Sequence, residues 1–373
     1  MDFYKKYCDI RVRVAPFRMK DDFEHIKTVA AIDAFANRAK DIHEGCDPKG
    51  RFGWGKEPEY SAEAFMEKAV SYVEALERGE MPLKGKFAEP GGALIDHSFI
   101  EKDGVMHVFY NRGYIGYLWD QRFVDSIGHA TSTDLVNWTI HAPVLTSKQG
   151  AYDDYQVWSP SVFEHENKYY MFYTGVNFNI AQAMCLAVSD DLYHWERVQD
   201  QPVLTPGPWC PWNADHWSDC RDGMVFKDDD GTFYMYYCSS QTTTPGCTKP
   251  VVGMAKSKDL FNWEDLGPLH IPGVGHAAES PYVMKKDGTY YLFFTNCGVG
   301  TAFATSDNPV KGWTVLPDNK NILYSTGCTE VFEFKGKWYF SMATWLQRGE
   351  QYLEIAEFNW NDDGTCSVGK ILK

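Results

Sequence analysis

The hydrophobic and polar positions of this chain follow two different periods, which change near residue 85. In AAIDAFANRAKDIHEG (30–45) and SAEAFMEKAVSYVEALERGE (61–80), apolar residues recur every three or four positions, as in amphipathic helices. From residue 86 onward, short aromatic and β-branched runs alternate with turn residues, as in strands. The pattern predicts a helical N-terminal extension over residues 1–85 and an all-β domain over residues 86–373.

Two phrases recur in order along the β-rich part. The first is a tight turn followed by an aromatic strand: KDGVMHVFYN (102–111), HENKYYMFYTG (165–175), DDDGTFYMYYC (228–238), KKDGTYYLFFTN (285–296) and FKGKWYFSMA (334–343). The second follows the first three copies as STDLVNW, SDDLYHW and SKDLFNW, with SDNPVKGW as a looser fourth copy. A period of roughly 50 to 65 residues with about four strands is typical of a propeller blade. Five copies predict a five-bladed β-propeller, with Trp138, Trp195, Trp263 and Trp313 packed between blades.

Composition narrows the class of partner. Aromatic residues make up 16% of the chain, which suits an all-β fold or a sugar-binding surface. The formal charge of −15 argues against nucleic acid or an anionic membrane, because both attract a basic face. The N-terminus has no apolar core of a secretory signal, and ten cysteines without a CxxC pair indicate scattered reduced thiols. A cytoplasmic location is therefore expected.

Acidic residues stand where the innermost strand of several blades begins. Blade one opens with LIDHSFI and offers Asp96, blade three opens with CRDGMVF and offers Arg221 and Asp222, and blade four opens with AAESPYV and offers Glu279. Asp96, Asp222 and Glu279 occupy nearly the same register, so the symmetry of a propeller predicts that they meet at one end of the axis. Gathered carboxylates raise at least one pKa, which suits a general acid beside an ionised partner.

These motifs resemble the five-bladed propeller glycosidases, above all glycoside hydrolase family 43 and its relatives in families 32, 62, 68 and 117. The resemblance covers residues 86–373. It implies that Asp96 is the general base of an inverting enzyme or the nucleophile of a retaining one, that Asp222 stabilises the transition state, and that Glu279 is the general acid. Arg221 would orient the site. The Asn-Asp-Pro-Asn opening and Glu-Cys motif of family 32 are absent, so the likeness is closer to family 43.

Several other residues are candidates for contact with a sugar. Blade two opens with Trp158 and Ser159, and blade five with Thr329 and Glu330; Trp158 either forms a sugar-stacking wall or packs between blades. The loop PWCPWNADHW (208–217), with Trp212 and Trp217, is expected to form a substrate rim because exposed aromatic residues usually serve binding. The remaining candidates are His97, which replaces the proline of many relatives, and His276, an alternative acid by analogy with family 117.

The function predicted from the sequence is hydrolysis of a terminal furanose-like or pentose residue from an oligosaccharide, with inversion. A non-catalytic sugar-binding propeller, a retaining fructofuranosidase or transglycosylase, and a phosphorylase stay open as alternatives. No cofactor is expected to be required, and the resemblance leaves room for an axial structural cation such as calcium. The amphipathic helices of the extension predict burial against the propeller or against a second copy of the chain, as a homo-oligomer.

Overall fold

The computed structural model of this chain describes residue 87 and residues 92–115, 122–148, 150–177, 179–244, 247–271, 278–296, 300–316, 322–324, 327–345 and 351–373. These residues form five antiparallel sheets in chain order, one for each predicted repeat. The prediction of an all-β, five-bladed propeller is therefore confirmed. The predicted helical extension lies outside the described residues.

Each sheet is built from consecutive strands. Blade one contains β1 (Gly92–Ala93), β2 (His97–Lys102), β3 (Val105–Ile115), β4 (Arg122–Ser132), β5 (Thr139–Ile140) and β6 (Leu145–Thr146). Blade two contains β7 (Gln156–His165), β8 (Lys168–Val176), β9 (Gln182–Ser189) and β10 (Glu196–Arg197). Blade three contains β11 (Cys220–Lys227), β12 (Phe233–Thr244), β13 (Cys247–Ser257) and β14 (Glu264–Leu269). Blade four contains β15 (Ala278–Lys286), β16 (Thr289–Asn296), β17 (Gly300–Ser306) and β18 (Ile322–Tyr324). Blade five contains β19 (Val331–Phe334), β20 (Lys337–Trp345), β21 (Gln351–Trp360) and β22 (Cys366–Ile371).

The turn signals of the sequence produce tight hairpins between the first and second strand of the blades. In blade one, Asp103 and Gly104 both have positive φ, at 54° and 78°. Asp287 and Gly288 repeat this pair of angles in blade four. Two successive positive φ values define the two-residue turn whose twist matches that of paired strands, and Asp-Gly favours it. The inner strands β2, β7, β11, β15 and β19 therefore each lead directly into the aromatic strand of the same blade.

Aromatic residues join each blade to the one before it. Trp195 of blade two packs edge-on against Phe109 of blade one, with ring centroids 5.5 Å apart. Trp263 of blade three packs in the same way on Phe172 of blade two, at 5.6 Å. These contacts confirm the predicted role of the repeated tryptophan between blades.

The ring closes between blades five and one. Phe87 pairs with Leu353 of β21 through two backbone hydrogen bonds of 3.0 and 2.8 Å. The ring of Phe99 in β2 stacks on Phe332 in β19 with centroids 4.4 Å apart. The first and last blades thus share one hydrophobic cluster. Among the described residues, no helix is long and apolar enough to cross a membrane.

Candidate active site

The inner strands of four blades have an unusual backbone conformation where they begin. In blades two, three and four the pairing with the aromatic strand shifts register, between Trp158 and Ser161, between Arg221 and Met224, and between Glu279 and Tyr282. One residue at each start has positive φ: Ser159 at 49°, Asp222 at 58°, Ser280 at 46° and, in blade five, Cys328 at 55°. Such angles are uncommon for residues other than glycine and cluster at functional sites. The repeat therefore presents four equivalent side chains at one end of the axis.

These four side chains line a pocket on the propeller axis, of about 350 Å³ including its opening to solvent. We call it the axial pocket. Its lining residues are Asp96, His97, Ser159, Pro160, Ser161, Asp222, Gly223, Met224, Ser280, Pro281, Tyr282, Cys328, Thr329 and Glu330. All five blades contribute, so the pocket exists only in the closed ring.

Asp96 enters the axial pocket from blade one with several hydrogen-bond donors around its carboxyl group. The Asn111 amide nitrogen donates to Oδ2 at 2.8 Å, and the Ser159 hydroxyl lies 2.9 Å from the same oxygen. The Ser280 hydroxyl donates to Oδ1 at 3.2 Å. Hydrogen bonds to a carboxylate favour its charged form, so this arrangement suits an ionised Asp96.

Asp222 faces Asp96 across the same serine. Its Oδ1 lies 2.7 Å from the Ser159 hydroxyl, and its Oδ2 accepts a 3.2 Å hydrogen bond from the Ser280 amide. Burial, followed by the charge of Asp96, raises the pKa of Asp222 to about 7, although Arg221 opposes the shift. Asp222 is therefore the carboxyl of this pair that keeps a proton near neutral pH.

Arg221 connects Asp222 with Glu279. Its Nη2 donates to Glu279 Oε1 at 2.6 Å, its Nη1 donates to Asp219 Oδ1 at 2.6 Å, and its Nε lies 3.7 Å from Asp222 Oδ2. Gln182 accepts a further hydrogen bond from Nη1 at 3.2 Å. The guanidinium group thus fixes the Glu279 carboxyl beside the pocket, where the Glu279 side chain is 34% exposed.

The three predicted acids are close together but do not share one register. Asp222 shares its position with Ser159 and Ser280, whereas Glu279 comes one residue earlier, in the position of Arg221. In blade one the strand pairing contains no extra residue. The backbone N–H of Asn111 donates to the Asp96 carbonyl, and Ser98 pairs with Phe109. Hydrophobic periodicity does not reveal such bulges, because each inserts a residue without changing the apolar strand that follows.

Two predicted binding residues, Glu330 and His97, line the pocket and are hydrogen-bonded within the protein. Glu330 is 8% exposed and accepts a 2.7 Å hydrogen bond from the Phe99 amide, while burial raises its pKa to about 8. His97 lies 3.0 Å from the Ile95 carbonyl through Nδ1 and 2.7 Å from the Ser341 hydroxyl through Nε2. Burial lowers the pKa of His97 to about 4. Both side chains join blade one to blade five through these hydrogen bonds.

The tryptophans predicted to contact a sugar are not among the lining residues of the axial pocket. Trp212 donates from Nε1 to the Gln182 carbonyl at 2.7 Å and packs on the hydrophobic cluster shared by blades two and three. Trp158 donates to Gln156 Oε1 at 3.0 Å and packs on Val124. Neither indole lines the axial pocket, and Trp217 is half-buried outside that lining. The structure therefore gives Trp158 and Trp212 packing contacts, and His276 lies outside the described residues.

Four polar residues around the acids were not predicted from the sequence: Asn111, Gln182, Asp219 and Ser280. A usable signal existed for Ser280, because Ser159-Pro160 and Ser280-Pro281 repeat the same dipeptide at equivalent blade positions. The other three lie on other strands or loops, and only the pairing of strands brings them to the acids. Among the described residues, no group of three or more His, Cys, Asp or Glu side chains is arranged to hold a metal ion.

A closed five-bladed propeller with carboxyl groups at one end of its axis defines the class of propeller glycosidases. The model of the glycosyl hydrolases family 32 N-terminal domain matches residues 96–364, from the first acid to the last blade. The chain belongs to this family. The sequence motifs favoured family 43, and both families lie within the group of propeller glycosidases named from those motifs.

Curated relatives match part of the chain. An insoluble isoenzyme of beta-fructofuranosidase from Arabidopsis thaliana is 31% identical over 207 residues, which are 54% of this chain and 32% of that protein. Fructan 6-exohydrolase from Beta vulgaris is 28% identical over 189 residues, 49% of this chain and 29% of that protein. Beta-D-galactofuranosidase from Aspergillus niger is 23% identical over 244 residues, 59% of this chain and 65% of that protein. The matched segments thus span about a third of the first two relatives.

Solved structures share the fold. A thermostable family-43 glycoside hydrolase superimposes with a TM-score of 0.61 at 18% identity, covering 74% of this chain and 93% of that one. A beta-xylosidase superimposes with a TM-score of 0.59 at 18% identity, covering 74% and 95%. At this identity the likeness establishes the propeller alone.

Proposed function

We propose that the axial pocket hydrolyses the glycosidic bond of a terminal furanose-like or pentose residue in an oligosaccharide, with inversion at the anomeric carbon. The observation that carries the proposal is the placement of Asp96 and Asp222 in one pocket with Glu279 held beside it by Arg221, each carboxyl group in a different electrostatic environment. Paired carboxyl groups on either side of a glycosidic bond supply the acid and the base that hydrolysis needs. The relatives named as fructofuranosidase, fructan exohydrolase and galactofuranosidase support a furanoside.

The roles follow from the surroundings of each carboxyl group. Asp96, with three donors, is the ionised group that removes a proton from water. Glu279, whose side chain is 34% exposed, protonates the leaving oxygen. In the free pocket Arg221 favours the ionised form of Glu279. A sugar that covers Glu279 excludes water from its carboxyl group, and desolvation disfavours the charged form of a carboxyl group.

Asp222 would contact the sugar that occupies the pocket. A carboxyl group close to Asp96 and Arg221 can exchange hydrogen bonds with ring hydroxyls that strengthen in the transition state. A pocket of this size, lined by all five blades, fits the removal of a chain end. An axial cation such as calcium stays a prediction.

The proposal is tested with a panel of aryl furanosides and pyranosides that includes fructofuranosides, arabinofuranosides, galactofuranosides and xylosides. Proton NMR of the first product reads the anomeric configuration. We expect turnover of at least one furanoside, with the inverted anomer formed first. A first product with retained configuration would make Asp96 a nucleophile, and binding of sugars without any turnover would identify a non-catalytic propeller.

A further inference from the structure

Ser159 lies between the carboxyl groups of Asp96 and Asp222, and its two contacts need one more proton than the serine hydroxyl carries. The Ser159 oxygen lies 2.9 Å from Asp96 Oδ2 and 2.7 Å from Asp222 Oδ1, and both distances are those of hydrogen bonds. A serine hydroxyl has one proton to donate. If both aspartates were ionised, one of these contacts would place two oxygen atoms against each other with no hydrogen between them. Such a contact is repulsive in a buried site. A second proton must therefore lie on one of the two carboxyl groups.

The surroundings identify which carboxyl group holds that proton. Asp96 accepts from the Asn111 amide and from the Ser280 hydroxyl, both of which stabilise a negative charge. Asp222 accepts one longer hydrogen bond, of 3.2 Å, from the Ser280 amide, and the Arg221 Nε is 3.7 Å away. Arg221 is closer to its other two acidic partners, at 2.6 Å each. The proton therefore belongs to Asp222.

We propose that Ser159 is a positioning residue that holds one proton between the two aspartates: the Asp222 carboxyl donates to Ser159 Oγ, and the Ser159 hydroxyl donates to Asp96. In this arrangement Asp96 stays ionised and correctly oriented while Asp222 is neutral. The catalytic consequence rests on the proposed function, because an ionised Asp96 is the base of that reaction. The bridge itself is a property of the free protein.

The backbone supports a dedicated role for Ser159. It has a φ of 49° although it is not glycine, and it is 5% exposed. A residue other than glycine at this angle is strained and persists where the surrounding structure fixes it. The strain places the hydroxyl between the carboxyl groups, and glycine would relieve the strain while removing the hydroxyl.

The other titratable groups that face the pair do not replace the bridge. Arg221 and Glu279 lie on the Asp222 side, and His97 lies on the Asp96 side. The thiols of Cys238 and Cys328 are nearby, and burial raises the pKa of each well above its usual value, so both are neutral. The charges next to the pair are thus those of Arg221 and Glu279.

The test compares Ser159→Ala with Ser159→Gly. Both remove the hydroxyl, but only glycine is relaxed at this φ. Difference infrared spectroscopy of the free protein, with Asp222→Asn to assign the band, measures the midpoint at which the Asp222 carboxyl loses its proton. The acidic limb of the kcat/KM profile reports the Asp96 midpoint.

We expect the Asp222 midpoint to fall and the acidic limb to rise in both variants. Without Ser159, the pair that carries one proton loses two hydrogen bonds. The pair with no proton and the pair with two protons lose fewer or weaker ones. The state with one proton is therefore destabilised most, which lowers the Asp222 midpoint and raises the Asp96 midpoint. Each shift should be about one pH unit, the size expected for one lost hydrogen bond to a charged group. Ser280→Ala is the matched control: it removes a donor to Asp96 but leaves the amide that contacts Asp222. It should raise the acidic limb without lowering the Asp222 midpoint.

Two results overturn the proposal. Unchanged midpoints in both Ser159 variants would mean that the hydroxyl only fills space. Shifts in Ser159→Ala alone would assign the effect to backbone strain. The infrared titration needs no substrate, so it decides the bridge even if no glycoside is hydrolysed, and a failed bridge leaves hydrolysis by the three acids intact.

Discussion

At the scale of single residues, Arg221 organises the acids rather than the substrate. Its two Nη atoms are engaged by Asp219 and Glu279, and Asp219 is held in turn by a 2.5 Å hydrogen bond from the Ser240 hydroxyl. Burial opposes the charge of Arg221, but the surrounding acids Asp219, Glu279 and Asp222 raise its pKa well above the usual value. The charged pair at the start of β11 therefore has a structural explanation: its arginine places Glu279, and its aspartate enters the pocket.

The proposed role of Glu279 as the general acid predicts a dependence on the leaving group. Glu279→Gln cannot supply a proton, so we expect turnover of substrates with poor leaving groups to fall about a thousandfold or more. Aryl glycosides with good leaving groups need little protonation and should recover much of this loss. The measurement is kcat on a series of aryl glycosides of graded phenol pKa. Equal losses across the series would remove Glu279 from the role of acid and direct attention to His276.

The sequence identified the acids because they interrupt a repeated apolar pattern at equivalent places. It missed Asn111 and Asp219, which reach the acids through strand pairing and a loop rather than through the repeat. It also assigned Glu279 and Asp222 one register, because the bulges that separate them leave the following strands unchanged. Local pattern thus predicts which residues are unusual, and tertiary pairing decides which of them touch.

At the scale of elements, blade one differs from its neighbours in the strand after the aromatic one. The second phrase begins with a serine in each of the first three blades. The residue three positions before this serine is His129 in blade one, Leu186 in blade two and Met254 in blade three. His129 is fully buried, stacks on Phe109 at 4.6 Å and lies 2.9 Å from His107 through Nε2. Burial and the neighbouring histidines lower the pKa of His129 well below its usual range. The blade thus buries neutral histidines where the other two blades have apolar residues.

This histidine pair predicts an acid-sensitive blade. A histidine with a lowered pKa in the folded protein is neutral there but protonated in the unfolded chain below about pH 6.5, so stability is lost as the pH falls below that value. His129→Leu should therefore gain stability relative to the wild type on acidification, by up to about 1.4 kcal/mol per pH unit. His141, Lys102 and Asp191 also face the pair and are unchanged in the variant.

The measurement is urea unfolding of both proteins from pH 7.5 to pH 5. The quantity to compare is the difference in free energy of unfolding between the two proteins. Asp222 and Glu330 have raised pKa values, so in both proteins they add stability as the pH falls over the same range. His270→Leu, at an exposed position, is the control variant. A difference that stays constant with pH would contradict a buried neutral His129.

At the scale of the whole molecule, the propeller was predictable because its repeats are local in sequence, while the contacts that close the ring were not. The two-residue turns, the aromatic strands and the Asp-Leu phrases each act within one blade. One of these contacts is made by Phe87, which precedes the first repeat yet pairs with Leu353. Nothing in the periodicity near residue 87 indicates a partner more than two hundred residues away. The helical N-terminal extension and the homo-oligomer that it would form stay predictions.

Phe87 should therefore be a stability determinant of the closed ring. It is 5% exposed and contacts Tyr110 and Trp138. Phe87→Ala is expected to lower the free energy of unfolding by about 3 kcal/mol, the lower end of the range for a buried phenylalanine. Phe261→Ala, at a side chain that is 43% exposed, is the control and should cost much less. Equal losses in thermal or urea unfolding would show that Phe87 does not hold the first and last blades together.

The most direct test of the account is the turnover number of Asp96→Asn on the best substrate of the glycoside panel. Asparagine is nearly isosteric with aspartate, so near-ultraviolet circular dichroism should confirm that the ring of blades is intact. With the proposed role of Asp96 as the base that removes a proton from water, kcat should fall about a thousandfold or more, for good and poor leaving groups alike. A folded Asp96→Asn protein with turnover within tenfold of the wild type would contradict the assignment of the axial pocket as the active site.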